Sequence, residues 1–337
     1  MAAAGDSQRI ECMEVWGGSQ LTARGVQLGG LDAWVYSKPY GQAPRGGDVY
    51  YASSCATGRI TRLLLADVAG HGSAVASTAA DLRLLMRRYV NCIDQTEFVR
   101  RLNRQFAELP RKGAFATAIV TTFFSPTSRL TVCNAGHPRP LRYRASKDRW
   151  EFLSQQEESP CKALRNVPLG LIQAADYDQF DVELEPGDCL LSYTDALIES
   201  RDADGEMLGE EGLLRIVSLL GGVPAERLIE TLLAEIAERY HENLSEDDVT
   251  VMVIKATGGQ LRHGFRQRLR AAVRLLGTLA RAANPRAERP PLPDFKLANI
   301  GGAIIPALGK FWRVQAPPRP ARDQAAPASG RDRLHGP

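Results

Sequence analysis

Apolar residues follow two different periods along the first 257 positions of the chain. Between Arg59 and Ala69 the sequence RITRLLLADVA rises into an unbroken apolar run and stops at glycine, as a strand covered on both faces does. Ala114–Phe124 (AFATAIVTTFF) is dense in β-branched and aromatic residues, and Arg129–Asn134 follows a Ser-Pro-Thr turn, which predicts a hairpin. Pro140–Arg144 and Trp150–Leu153 predict another hairpin. Asp181–Leu184 and Cys189–Tyr193 flank the turn Glu185-Pro186-Gly187-Asp188, and Val249–Ile254 is the last strand of this region. Elsewhere the period is helical. Ala76, Ala80, Leu84 and Leu85 recur at that spacing, as do Phe98, Leu102 and Phe106 after the candidate cap Asp94. Leu228, Leu232, Leu233 and Ile236 share one face in a region of two predicted helices between Gly209 and Tyr240. Strands dominate, hairpins are frequent and four helices are expected, so the pattern predicts an antiparallel α/β sandwich rather than a doubly wound parallel sheet.

Beyond Gly258 the pattern changes. Leu261, Phe265, Leu269, Val273, Leu276 and Leu279 repeat every three or four residues, with Arg262, Arg266, Arg268, Arg270 and Arg274 on the other faces. That predicts a cationic amphipathic helix over 258–284. Pro285, Pro290, Pro291 and Pro293 end it, and 285–337 reads as a largely disordered Pro/Ala/Arg-rich tail containing one short apolar patch, Ile300–Trp312. Residues 1–40 read as a lead-in to the main domain at 41–257.

Charge sharpens this division. The net charge of +3 combines residues 258–337, with 15 Lys and Arg against 4 Asp and Glu, and residues 1–257, with 27 against 35. An acidic body therefore carries a basic extension. The extension fits an anionic membrane surface, an acidic partner, docking on the acidic body itself, or a solvated appendage. Without a nucleic-acid motif, specific DNA reading is not expected. Six scattered cysteines without CxxC spacing argue against a zinc ribbon or a disulfide framework. Met1–Ile10 lacks a signal-peptide pattern, and no run of about 18 apolar residues is present. The expected location is cytoplasmic, with peripheral membrane contact through the tail.

The chemical signal lies where predicted strands end. Asp48 follows Gly46-Gly47, Asp67 closes the run Leu63–Ala66, Asp195 follows Leu190–Thr194, and Asp247-Asp248 lead into Val249–Ile254. A carboxylate at the end of a buried strand is costly to keep ionised alone. Four such points together are better explained by a shared hard cation, Mg²⁺ or Mn²⁺. Two such ions can hold the phosphoryl oxygens of a substrate.

These residues stand in the motifs GGDVY (46–50), ADVAGHG (66–72), CNAGHPRPLRY (133–143), PLGL (168–171), YTDALIES (193–200) and EDDVTVMVI (246–254). In this order, over about 200 residues, the chain resembles the metal-dependent protein phosphatases of the PP2C class, in their SpoIIE/RsbU-like bacterial branch. The resemblance implies an α+β fold, an αββα sandwich of two antiparallel sheets flanked by helices, here with a basic C-terminal extension. It implies two Mn²⁺ or Mg²⁺ ions and hydrolysis of phosphoserine or phosphothreonine by metal-bound water. Asp67 matches the aspartate that bridges both metals, and the Val68 carbonyl matches the backbone ligand. Asp195 and Asp247 match carboxylates of one metal. Asp48 matches a ligand acting through water or at the other metal. Asp248 matches an outer-shell residue or alternate ligand. His71 reads either as a proton donor to the leaving group or as a loop residue bonded to a carboxylate. The implied substrate is a phosphorylated protein such as an anti-sigma-factor antagonist.

Three features compete with this reading. Tyr51 stands where the family often has a further aspartate, and only some 40 residues precede the first motif where the family often carries a sensor domain. Both raise the alternative of a catalytically weak or inactive scaffold that acts by binding. Cys133 to Arg139 has the C-x5-R spacing of thiolate phosphatases, but Pro138 removes a phosphate-binding N–H and Pro140 blocks the helix that should follow.

Overall fold

The structure, a computed structural model, describes residues 8–9, 15–55, 59–70, 73–89, 92, 94–109, 113–153, 165–240, 244 and 247–258. In chain order these form β1 (Gln8–Arg9), β2 (Val15–Gly18), β3 (Thr22–Leu28), β4 (Leu31–Lys38), β5 (Val49–Cys55) and β6 (Ile60–Val68). There follow α1 (Ser73–Arg88), α2 (Gln95–Ala107), β7 (Ala116–Phe124), β8 (Arg129–Ala135), β9 (Leu141–Arg144) and β10 (Arg149–Phe152). The chain continues with β11 (Phe180–Glu183), β12 (Cys189–Tyr193), α3 (Gly209–Leu219), α4 (Ala225–Arg239) and β13 (Val249–Ala256). The expected amphipathic helix at 258–284 and tail at 285–337 lie, from residue 259 on, outside the described residues.

Two sheets carry the fold. One has the order β1-β3-β4-β13-β12-β9-β10 and the other β11-β8-β7-β6-β5-β2. Their pairings are antiparallel except β1 with β3. Apolar residues form three layers. Leu63, Leu65, Ile119, Met252 and Ile254 fill the space between the sheets. Leu64, Ala66, Val120, Leu82, Met86, Phe98 and Phe106 fill the space between one sheet and α1–α2. Val251, Val253, Leu213, Leu228, Leu232 and Ile236 do the same between the other sheet and α3–α4. The predicted αββα sandwich is therefore the observed fold.

The layering explains the apolar runs. Alternate side chains of β6 point into different layers, and both layers are dry, so Leu63–Ala66 form an unbroken apolar run that ends at Asp67. The hairpins β7–β8 and β9–β10 form as predicted. The Glu185–Asp188 turn instead carries the chain from β11 in one sheet to β12 in the other. Asp94 caps α2, its Oδ1 accepting from the Glu97 N–H at 2.9 Å.

In α1 the expected face is corrected. Ala79, Leu82, Leu85 and Met86 are buried, whereas Ala76 and Ala80 are half-buried and Leu84 is 59% exposed. Of the expected positions only Leu85 is buried. The packing selects the face with the larger summed side-chain volume, and a four-residue alanine spacing does not mark that face.

Candidate active site

The strand-end aspartates of the motifs meet at one end of the space between the sheets. Asp67 lies on β6 in phase with Leu63 and Leu65, so it shares their inter-sheet side. Burial pushes its carboxyl up to about 8, with further upward contributions from Asp195, Asp247 and Asp248. These three approach from the opposite sheet, Asp195 after β12 and Asp247-Asp248 before β13.

Asp48 immediately precedes β5 and is buried. Burial raises its carboxyl well above the ordinary range, and the charges of Asp67 and Asp248 push the same way. Its Oδ2 accepts a hydrogen bond from Thr194 Oγ1 at 3.0 Å, while its Oδ1 is buried with no hydrogen-bond donor. Thr194 Oγ1 in turn accepts from the Thr250 N–H at 2.9 Å, and Thr250 Oγ1 lies 2.9 Å from Ser37 Oγ. A buried hydroxyl network thus ties Asp48 to the opposite sheet. Asp195 opens the turn Asp195–Leu197; its carboxyl is raised by burial first and by Glu199 second.

Asp248 is placed differently from the rest. Its Oδ1 accepts from the Tyr40 N–H at 2.7 Å and its Oδ2 from the Gly47 N–H at 2.6 Å. The Asp248 N–H donates to Asp247 Oδ1 at 2.7 Å. A Cβ on Gly46 would overlap the Asp248 carboxylate, so the first of the two glycines is required by this anchor. At Gly47 a Cβ would lie 3.0 Å from the Val68 carbonyl oxygen and 3.2 Å from that of Gly70. The GGD loop therefore lies close against the end of β6. His71 lies outside the described residues.

Among the described residues no three or more His, Cys, Asp or Glu side chains form a ready-made cage for one ion. The fit to a divalent cation rests on donor chemistry. The residues supply hard oxygen donors from carboxylates on both sheets, one buried carboxylate oxygen without a donor, and mutual repulsion that a cation would relieve. The hydroxyls of Thr194, Thr250 and Ser37 were not singled out in the sequence. Only the position of the first two beside Asp195 and Asp248 could have signalled them.

The competing features are also placed. Cys133 is buried on β8 in the layer toward α1–α2, and burial pushes its thiol up to about 12. Arg139 is turned to Glu210 instead, its Nε donating to Oε2 at 2.6 Å, so no thiolate site forms. Tyr51 packs in the layer toward α1–α2, on the opposite face of β5 from Tyr50 and the inter-sheet core.

A sandwich of this topology with a carboxylate cluster between its sheets defines a PP2C-like fold. Residues 57–257 match the family described as Stage II sporulation protein E (SpoIIE), and the chain belongs to that family. The match begins after GGDVY, so the assignment of Asp48 to the site rests on the structure. The phosphoserine phosphatase RsbU of Bacillus subtilis (strain 168) is 23% identical over 194 residues, covering 57% of this chain and 55% of its own length. The chain thus spans about half the length of that curated relative. The RsbU and RsbW domains of Rv1364c from Mycobacterium tuberculosis share the fold with a TM-score of 0.56 and 20% identity, over 83% of this chain and 72% of that one. The phosphatase domain and regulatory fragment of SpoIIE from Bacillus subtilis give 0.54 and 16%, over 73% and 64%.

Proposed function

We propose that the chain is a metal-dependent phosphatase of phosphoserine or phosphothreonine in proteins, acting in bacterial signalling. The convergence of Asp48, Asp67, Asp195 and Asp247 from two sheets carries this reading. Two Mn²⁺ or Mg²⁺ ions fit the donor set, held by these four carboxylates and the Val68 carbonyl. Bound there, such ions supply Lewis acidity toward phosphoryl oxygens and lower the pKa of water. Asp248, with both oxygens engaged by backbone N–H groups, anchors the loop that presents Asp48. Thr194 and Thr250 orient Asp48 itself. His71 is a candidate proton donor to the leaving group.

The substrate class is a phosphorylated protein, in keeping with the name of the relative, phosphoserine phosphatase RsbU; a phosphorylated anti-sigma-factor antagonist is the particular substrate proposed. The alternative of a binding scaffold loses its residue-level motive, because Tyr51 faces away from the inter-sheet site. Among the described residues no helix is long and apolar enough to cross a membrane. Salt-sensitive binding to anionic vesicles is proposed for the basic extension.

The test is hydrolysis of p-nitrophenyl phosphate and of a phosphorylated protein with Mn²⁺, with EDTA, and after thiol alkylation. Turnover that needs Mn²⁺ and resists alkylation supports the reading. Turnover that survives EDTA but is lost on alkylation overturns it.

A further inference from the structure

The buried His137 has no part in the proposed chemistry, yet it lies between the two halves of the site. Its Nδ1 is 2.9 Å from Thr117 Oγ1. Thr117 on β7 pairs directly with Asp67 on β6, so the two side chains are neighbours on the inter-sheet side. The ring also lies near the Tyr193 backbone, whose polar contact favours its protonated form, and its Nε2 is buried with no hydrogen-bond partner. Tyr193 ends β12, two residues before Asp195. The ring therefore reaches from the strand beside Asp67 to the strand that delivers Asp195.

The loop that carries His137 is fixed at several points. The His137 N–H donates to Asn134 Oδ1 at 2.7 Å, and Asn134 Nδ2 donates back to the His137 carbonyl at 2.8 Å. Tyr193 Oη donates to the Arg139 carbonyl at 2.8 Å. The Arg139 N–H donates to Glu210 Oε1 at 2.7 Å, at the start of α3. Gly136 has φ +69°, and a Cβ there would lie 2.7 Å from the Pro168 ring. A ring held this tightly has little freedom to move, and burial pushes its pKa down to about 3, so it stays neutral. With Nδ1 accepting from the Thr117 hydroxyl, Nε2 carries the proton.

We infer that His137 is a positioning residue that sets the spacing of Asp67 and Asp195, and so the affinity for divalent cations, through Thr117 on one sheet and, by its loop's bond to Tyr193, the end of β12 on the other. It does this without touching the ions. The inference rests on the proposed metal site. Outer-shell partners of metal ligands typically contribute 10–100-fold to metal affinity, which is the scale expected here.

The test measures Mn²⁺ binding by calorimetry on the full chain, for wild type, Thr117→Val, His137→Gln, the double variant and Asp67→Asn, each paired with a melt in EDTA. Thr117→Val keeps the shape and removes only the hydroxyl, so it carries the test even if His137→Gln folds poorly. The expected result is a roughly tenfold weaker Mn²⁺ dissociation constant for each single variant. The double variant should be no weaker than the worse single, and Thr117→Val should still melt cooperatively in EDTA, at a temperature lowered by the buried Nδ1 that loses its partner. Nitrogen-15 spectra of histidine-labelled protein should show the His137 signal, identified by its loss in His137→Gln, as the Nε2–H tautomer. If wild type binds Mn²⁺, Asp67→Asn does not, and Thr117→Val and His137→Gln bind as wild type does, this inference alone fails. An Nδ1–H tautomer, or additive losses in the double variant, also overturns it. Failure of wild type to take up Mn²⁺ overturns the metal reading and this inference together.

Discussion

Asp67 is held where its ionised form is disfavoured, and the consequence can be measured. Its carboxyl is raised from 3.8 to about 8, by burial first and neighbouring carboxylates second. Between those values the folded chain keeps a proton that the unfolded chain has lost, so stability falls as pH rises through that window. In EDTA the melting temperature should therefore drop from pH 4 to pH 8, and Asp67→Asn should flatten that slope. With Mn²⁺ the same substitution should reduce turnover at least about a hundredfold, beyond the usual loss of an outer-shell partner. His137 has the opposite sign. Its pKa is lowered from 6.5 to about 3, so it adds a loss of stability as pH falls through that range. Gly46→Ala should cost about 1–3 kcal/mol in urea unfolding, because the added methyl meets an anchored carboxylate. The aspartates were legible because charge at the end of an apolar strand is conspicuous. The roles of Asp247 and Asp248 were not separable in the sequence, since only the Tyr40 and Gly47 N–H groups distinguish them.

Elements were legible in proportion to how completely their faces are covered. β6 and β13 lie between two dry layers, and their continuous apolar runs say so. In α2 the large residues Phe98, Leu102 and Phe106 fix the buried face, and the reading from spacing agrees. In α1 the alanines carry too little volume to mark a face, and the reading turned the helix the wrong way. Polar ties between elements leave no periodic trace. Asn103 on α2 is fully buried; its Oδ1 accepts from the Gly170 N–H, and its Nδ2 donates to the carbonyls of Ile172 and Gln173. It thereby fastens the PLGL segment to the helix. Asn103→Ala should strip buried backbone groups of their partners and cost about 1–3 kcal/mol, read by denaturant unfolding.

At the scale of the molecule, the division of charge separates the body from its extension better than the net value of +3 does. All the proposed metal ligands precede residue 257, so a chain ending there should retain metal-dependent turnover while losing vesicle binding. Where the chain crosses between sheets, Arg142 Nη2 donates to Asp188 Oδ2 at 2.6 Å, with both side chains nearly sealed from solvent. Asp188 also accepts from the Ala145 and Glu185 N–H groups. Removing it as Asp188→Ala should cost about 3–5 kcal/mol, because a buried guanidinium loses its counter-charge. The crossing could be read as a turn, but the sheet change could not. Strand order depends on contacts distant in sequence, and local spacing does not encode it.

The carboxylates come in pairs from opposite halves of the sandwich, Asp48 and Asp67 from one and Asp195 and Asp247 from the other. Neither half holds the set alone. On the proposed metal reading, cation capture requires both halves of the sandwich to be in place. Tight Mn²⁺ uptake after dilution from denaturant should appear with the slowest phase and be absent from any earlier one.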